Sequence, residues 1–337
     1  MAAEEQAPSI ESRVEAFKET CLSIREEVGR VIVGHEEVVE GVITALLAGG
    51  HVLLEGVPGI GKTLLVRTFS DALDLSFSRI QFTPDLMPAD VTGTMLLVDK
   101  EGGGRKFEFN KGPIFASFVL ADEINRATPK TQSSLLEAMQ EHRVTTMGST
   151  YSIDPPFVVL ATQNPIEMEG TYTLPEAQLD RFLVKIMLRF PSDAELREIL
   201  DRTTIGDQPQ ARKIADRARL LEMIETVRDM QIENRSVVDY VVRVIQATHP
   251  DADSASEPVK KYVRYGASPR GAQSLILGAK VRALMDGRVS VDFDDVRHMV
   301  LPALRHRIIL NFEGESAGQS TDDILSSVLD HVPDVKK

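Results

Sequence analysis

The run Gly56-Val57-Pro58-Gly59-Ile60-Gly61-Lys62-Thr63 fits the phosphate-binding spacing G-x-x-x-x-G-K-[ST]. Its glycines let the backbone curl until successive N–H groups face one anion. A helix beginning at the lysine adds its positive end, the Lys62 ammonium meets β and γ oxygens, and the Thr63 hydroxyl coordinates Mg²⁺. A dinucleotide-binding turn fits worse, because Gly59 and Gly61 are followed by Leu64 where that pattern needs a third glycine.

The apolar run Phe118 to Ala121 ends in Asp122-Glu123. In a chain that binds a triphosphate these carboxylates divide the work, Asp122 holding Mg²⁺ and Glu123 orienting and deprotonating the attacking water. Asn164 follows another apolar run, and its neutral amide can bond both water and γ-phosphate; a turn residue before Pro165 is the plainer alternative. Arg181, in Asp180-Arg181-Phe182, offers planar charge for a transferring phosphoryl group or simply pairs with its neighbour. Ser268-Pro269-Arg270 reads as helix cap, first helical proline and an arginine in the first turn, so guanidinium and helix end can meet one anion. That accounts for the basic cluster of Lys260, Lys261, Arg264 and Arg270 without nucleic acid.

These groups need a rigid frame. Val52 to Leu54, Phe77 to Phe82, Phe118 to Ala121, Phe157 to Leu160 and Leu183 to Leu188 are short apolar runs, each followed by a helical segment, as in a parallel sheet covered by helices. Two interruptions read as β-hairpins: Met95 to Asp99 with Lys106 to Asn110 about Gly102-Gly103-Gly104, and Val144 to Met147 with Tyr151 to Ile153 about Gly148-Ser149. Upstream, Ile10, Val14, Phe17, Cys21, Ile24, Val28 and Val31 form the stripe of one long helix. Beyond Pro191, Ser192 and Glu195 make a capping box, and the remaining chain is helical, with a polar loop over Pro250 to Pro258 and a flexible linker over Glu313 to Ser320. The expected division is an N-terminal helix packing on the core (1–34), an αβα nucleotide-binding domain (35–190) and a helical domain with a C-terminal tail (191–337).

The 337 residues allow two domains, and 42% hydrophobic with 26% charged residues describes an ordinary globular chain. Cys21 is the sole cysteine, and the acidic start Met1 to Glu5 lacks the basic opening of a signal peptide, so a cytoplasmic location is expected. The apolar stretch Gly41 to Leu54 is too short and too interrupted to span a membrane. A net charge of 38 − 51 = −13 repels polyphosphate backbones and makes nucleic acid an unlikely partner.

The motifs, in this order over nearly the whole chain, resemble the MoxR family of AAA+ ATPases. Carrying the resemblance are Val33-Gly34-His35, Thr83-Pro84-Asp85-Leu86-Met87-Pro88, Ala121-Asp122-Glu123-Ile124-Asn125-Arg126, Ala161-Thr162-Gln163-Asn164-Pro165, Gly170-Thr171-Tyr172, Leu174 through Phe182, Gly266 through Arg270 and Leu304-Arg305-His306-Arg307. Thr128, Met168 and Thr173 depart from the usual pattern without removing a phosphate or metal ligand. The resemblance implies an α/β P-loop core with an all-α lid, ATP and Mg²⁺ as ligands, and a ring, usually a hexamer, with ATP at subunit boundaries. In it Asn164 is sensor 1, Arg181 an arginine finger acting in trans and Arg270 sensor 2, while Val33 and Gly34 border the adenine. The hairpins look like insertions, near 93–112 and 142–157, that face the pore of related rings. It further implies an ATPase that remodels or matures partner complexes, including metal-cofactor insertion, often beside proteins with von Willebrand factor A domains. A magnesium-chelatase-like motor subunit and a nucleic-acid-remodelling AAA+ protein are the alternatives.

Overall fold

Five strands stand side by side in the computed structural model, which describes residues 9–99, 104–164, 171–206 and 209–334. In chain order the strands up to residue 190 are β1 (Val52–Glu55), β2 (Phe77–Gln81), β3 (Gly93–Asp99), β4 (Arg105–Lys111), β5 (Phe118–Asp122), β6 (Arg143–Thr146), β7 (Ser149–Ser152), β8 (Val158–Gln163) and β9 (Val184–Met187). The order β2-β5-β8-β1-β9 makes one sheet whose neighbours all run parallel. Parallel strands covered on both faces must be apolar nearly throughout, and Val52 to Leu54 and Phe118 to Ala121 are wholly buried. β2 lies at one edge and buries only Ile80, which leaves its remaining side chains more accessible.

Antiparallel pairs β3·β4 and β6·β7 occupy the two positions read as hairpins. Tyr151 of the second stacks on Phe109 of the first at 4.0 Å between ring centroids. Gly102 and Gly103 of the first turn, together with residues 1–8 and Pro165, Met168 and Gly170, lie outside the described residues.

The chain forms two compact units, Val28–Arg217 and the described residues of Met1–Glu27 with Ala218–Lys337. These boundaries differ from the expected 34/35 and 190/191. Most of the helix Ile10–Val31 belongs with the later helices: Arg13 donates to Thr226 Oγ1 at 2.9 Å and Asp229 Oδ2 at 3.0 Å, and Arg219 reaches Thr20 Oγ1. Its apolar stripe is buried from Val14 to Val28, with Ile10 exposed at the start, and burial pushes the Cys21 thiol up to about 12, which disfavours the reactive thiolate. No helix among the described residues is long and apolar enough to cross a membrane.

Two expectations in the second unit need correction. The Pro250 to Pro258 loop gives way at Glu257 to the helix Glu257–Tyr262, and the supposed linker begins with the helix Phe312–Ser316. Asn311 caps that helix through Gly314 N–H at 2.9 Å and donates to the Lys261 carbonyl at 2.8 Å. A Cβ on Gly314 would stand 2.9 Å from the Tyr262 carbonyl, so the glycine that suggested flexibility permits close packing. The strands β10 (Val263–Tyr265) and β11 (Ile309–Leu310) pair beside it. The basic cluster is engaged locally: Lys261 pairs with Glu313 at 3.3 Å, Lys260 with Glu257 at 3.7 Å, and Arg264 covers the Tyr265 ring.

His51, just before β1, ties the amino end of the sheet together. Its Nδ1 accepts from Val159 N–H at 3.1 Å and its Nε2 donates to the Met139 carbonyl at 3.1 Å, which fixes a neutral ring. Burial pushes its pKa down to about 4, below the usual 6.5. The unfolded chain therefore binds this proton more readily, and about 3 kcal/mol of stability present above pH 6.5 is lost as pH falls toward 4. His51→Leu should destabilise the protein at pH 7.5, by roughly 1–3 kcal/mol for the stranded amide and carbonyl, and flatten the loss between pH 6.5 and 4. Denaturant unfolding across that range measures both, and an acid limb unchanged by the substitution would clear His51 of this role.

Candidate active site

β1 ends at Glu55 and the helix Lys62–Ala72 begins seven residues later, so the intervening loop must reverse and present its amides. Gly59 and Gly61 take φ of +80° and +89°, and a Cβ on either would meet nothing within 4 Å. The requirement for glycine there is dihedral, not a shortage of room. Gly56 differs, since a Cβ would stand 2.6 Å from Leu188 Cβ, just after β9. Lys62 folds back over the loop and donates from Nζ to the Gly56 carbonyl at 2.6 Å. Burial pushes its pKa down, while Asp122, Glu123 and Glu55 oppose that shift.

Asp122 ends β5, beside β8 in register. Thr162 donates its hydroxyl proton to Asp122 Oδ1 at 2.7 Å and accepts the Glu123 N–H at 2.8 Å, which holds Glu123 in a left-handed conformation of φ 55°. Arg79 Nη2 donates to Asp122 Oδ2 at 2.6 Å and to Gln81 Oε1 at 2.7 Å. Glu123 Oε2 accepts from Gln81 Nε2 at 2.9 Å and Arg126 Nη1 at 2.8 Å. Sequence reasoning missed Arg79 and Gln81, and it named Arg126 and Thr162 within motifs without giving either a role. The available signal was the i, i+2 spacing of Arg79 and Gln81, which puts both on one face of a strand.

Asn164 is buried immediately after β8, next to Gln163, whose carbonyl accepts the Gly56 N–H at 3.3 Å. Lys62, Thr63, Asp122, Glu123 and Asn164 thus share the carboxyl edge of the sheet, where ligands bind in open α/β folds. Val57, Pro58, Ile60 and Leu188 line an adjoining cavity of about 240 Å³, with Val33 and Phe190 completing its apolar character. Gly34 takes φ of +68°, and a Cβ there would collide with Glu195 Oε1. Glu195 is held by its capping box with Ser192. Burial pushes the pKa of neighbouring His35 down.

Arg181 lies elsewhere. It precedes β9 at the amino edge, and Nη1 donates to the Leu136 carbonyl at 2.6 Å. The four-residue β9 alone puts about 13 Å between the two edges, at ~3.3 Å per residue. Arg270, exposed in the second unit, sits in the first turn of the helix Pro269–Met285, with its N–H on the Ser268 side chain at 3.1 Å.

Comparison with known proteins agrees with this geometry. Residues 51–184 match the ATPase family associated with various cellular activities, and residues 256–328 match the AAA lid domain. Chaperone MoxR1 of Mycobacterium tuberculosis is 45% identical over 91% of this chain and 80% of its own length. The chain belongs to the MoxR family of AAA+ ATPases. YeaC of Bacillus subtilis is 41% identical, covering 90% of this chain and 92% of that one. A crystal structure from Cytophaga hutchinsonii, put forward as an ATPase, is 41% identical with a TM-score of 0.89, covering 96% of this chain and 97% of that one. The MoxR fold is thus an α/β AAA+ core with a helical lid.

The left-handed glycines of the loop offer a direct test. Gly61→Ala should cost roughly 1–2 kcal/mol through its left-handed backbone alone, since the new methyl group meets nothing. Equilibrium unfolding would measure it, and unaltered stability would mean the loop relaxes to another conformation.

Proposed function

We propose that this MoxR-family chain binds ATP with Mg²⁺ in the Gly56–Thr63 loop, hydrolyses it, and uses the cycle to remodel or mature partner protein complexes. The carrying observation is that Lys62, Asp122, Glu123 and Asn164 share one sheet edge beside an apolar cavity of about 240 Å³. Amides and an ammonium suit the phosphates, and the apolar cavity, which Val33 lines beside Gly34, suits a purine.

The donors also fit Mg²⁺. Among the described residues no group of three or more His, Cys, Asp or Glu could hold a metal, so an all-protein cage is absent. One hydroxyl and one carboxylate, Thr63 and Asp122, match a cation that relies mainly on substrate phosphates and water for its remaining ligands. When bound it would neutralise phosphate charge. Lys62 meets the phosphate oxygens, Glu123 takes the proton of the attacking water, and Asn164 bonds that water without competing for its proton.

Arg181 acts on a neighbouring subunit in a ring, with a hexamer the expected size. Its place at the opposite edge from Lys62 supports action in trans. Arg270 keeps the second-sensor role that the family resemblance gives it. Proteins with von Willebrand factor A domains, or complexes awaiting a metal cofactor, are the proposed clients, in the cytoplasm. The name of the M. tuberculosis relative, a chaperone, supports the remodelling reading.

Glu123→Gln should keep ATP affinity while turnover falls by about 10² or more, read by phosphate release beside binding of a fluorescent nucleotide. Lys62→Ala should abolish tight binding, and equal affinity would remove the loop from the phosphate site. Mixing inactive Arg181→Ala with inactive Glu123→Gln should restore some turnover, because mixed rings contain a boundary with both groups. No recovery in rings shown to exchange subunits counts against action in trans.

A further inference from the structure

Glu55 and Lys185 are the charged residues of two strands that are otherwise apolar, β1 and β9. Strands of a covered parallel sheet keep such charges only where they are paired. Lys185 stands opposite Leu53, so it shares a face with Glu55 two residues further along β1. The two side chains meet at 2.7 Å and are mostly buried, with 20% and 19% of their surfaces exposed. Glu55 directly precedes Gly56, whose carbonyl accepts from Lys62 Nζ at 2.6 Å. Of the three carboxylates that oppose the lowering of the Lys62 pKa by burial, Asp122 and Glu123 have places in the hydrolytic scheme and Glu55 has none.

Building on the Mg²⁺-ATP reading, we propose that Lys185 is a positioning residue for ATP binding: by neutralising Glu55 it leaves the Lys62 ammonium on the loop carbonyl and spares the incoming triphosphate an unbalanced anion. A carboxylate so largely withdrawn from water is poorly screened. Without Lys185, Glu55 would draw Lys62 toward itself and repel phosphate, and both effects weaken nucleotide binding. Arg79 and Arg126 are no substitute, because they are bonded to Asp122 and Glu123. An ion pair that served only the fold would be lost equally whether one charge or both were removed. One that balances charge is missed only while Glu55 stays ionised without a partner.

The assay is binding of a fluorescent, non-hydrolysable ATP analogue to the full chain at saturating Mg²⁺, beside denaturant unfolding. Lys185→Gln keeps a hydrogen-bond donor for Glu55 but drops the charge, and should weaken binding about tenfold, the scale of one uncompensated charge beside a partly buried site. Lys185→Arg keeps the charge and should stay within about threefold of wild type. Adding Glu55→Gln to Lys185→Gln should also return affinity to within about threefold of wild type, although the ion pair is still missing. Glu55→Gln alone should bind at least as tightly as wild type, which tests the role even where Lys185→Gln does not fold. Wild-type affinity in Lys185→Gln, a double variant as weak as that single one, an Arg variant no better than Gln, or weakened binding in Glu55→Gln would each overturn the proposal. Failure of the wild-type chain to bind the analogue at all would instead sink the nucleotide reading itself.

Discussion

Charge at the carboxyl edge of the sheet is balanced almost residue by residue, and the placement of Lys62 depends on that balance. Glu55 pairs with Lys185 at 2.7 Å, Asp122 with Arg79 at 2.6 Å and Glu123 with Arg126 at 2.8 Å. Lys62, amid all three carboxylates, bonds a neutral carbonyl instead. An ammonium collapsed onto a carboxylate would have to break an ion pair before meeting phosphate. Here its hydrogen bond is to a backbone oxygen of the loop that would cradle the anion. Burial that lowers its pKa also lowers the local dielectric, so an arriving phosphate would be felt more strongly than at the surface.

Backbone geometry does comparable work. Four of the expected site positions, Gly34, Gly59, Gly61 and Glu123, adopt positive φ. Glycine does so freely. Glu123 does not, and its conformation is held by the bond from its own amide to Thr162 Oγ1, which in turn donates to Asp122. A threonine on the next strand thereby orients both carboxylates, one through its backbone and the other through its side chain. Such strain persists only where neighbours over-determine it, and it concentrates at functional sites.

Much of this was legible in the sequence, for identifiable reasons. Strands buried on both faces must be apolar throughout, so five short runs announced the parallel sheet. The loop, Asp122-Glu123 and Asn164 stood at strand ends, where residue order alone implies one edge. Arg79 and Gln81 were missed because polar residues on an edge strand look like a solvated face until their partners are known. The partner of the first helix was equally hidden, since an apolar stripe on Val14, Phe17, Cys21 and Ile24 says that something covers it but not what. Composition misled over residues 313–320, where tertiary hydrogen bonds from Asn311 outweigh a glycine and serine content typical of linkers.

Arg181 carries the same reasoning one step further. A guanidinium at the amino edge of β9 is too far from its own phosphate loop for its side chain to reach, yet it is not loose: Nη1 is fixed on the Leu136 carbonyl at 2.6 Å, while Nε has no partner among the described residues. A buried donor without an acceptor costs free energy and persists where something else requires the geometry. Under the proposed reading, that requirement is the boundary with a second copy, where a planar group already held in place loses less conformational freedom on meeting phosphate. On that proposal hydrolysis would depend on assembly, because the carboxylate proposed to activate water lies at one edge of the sheet and the arginine proposed to stabilise charge at the other.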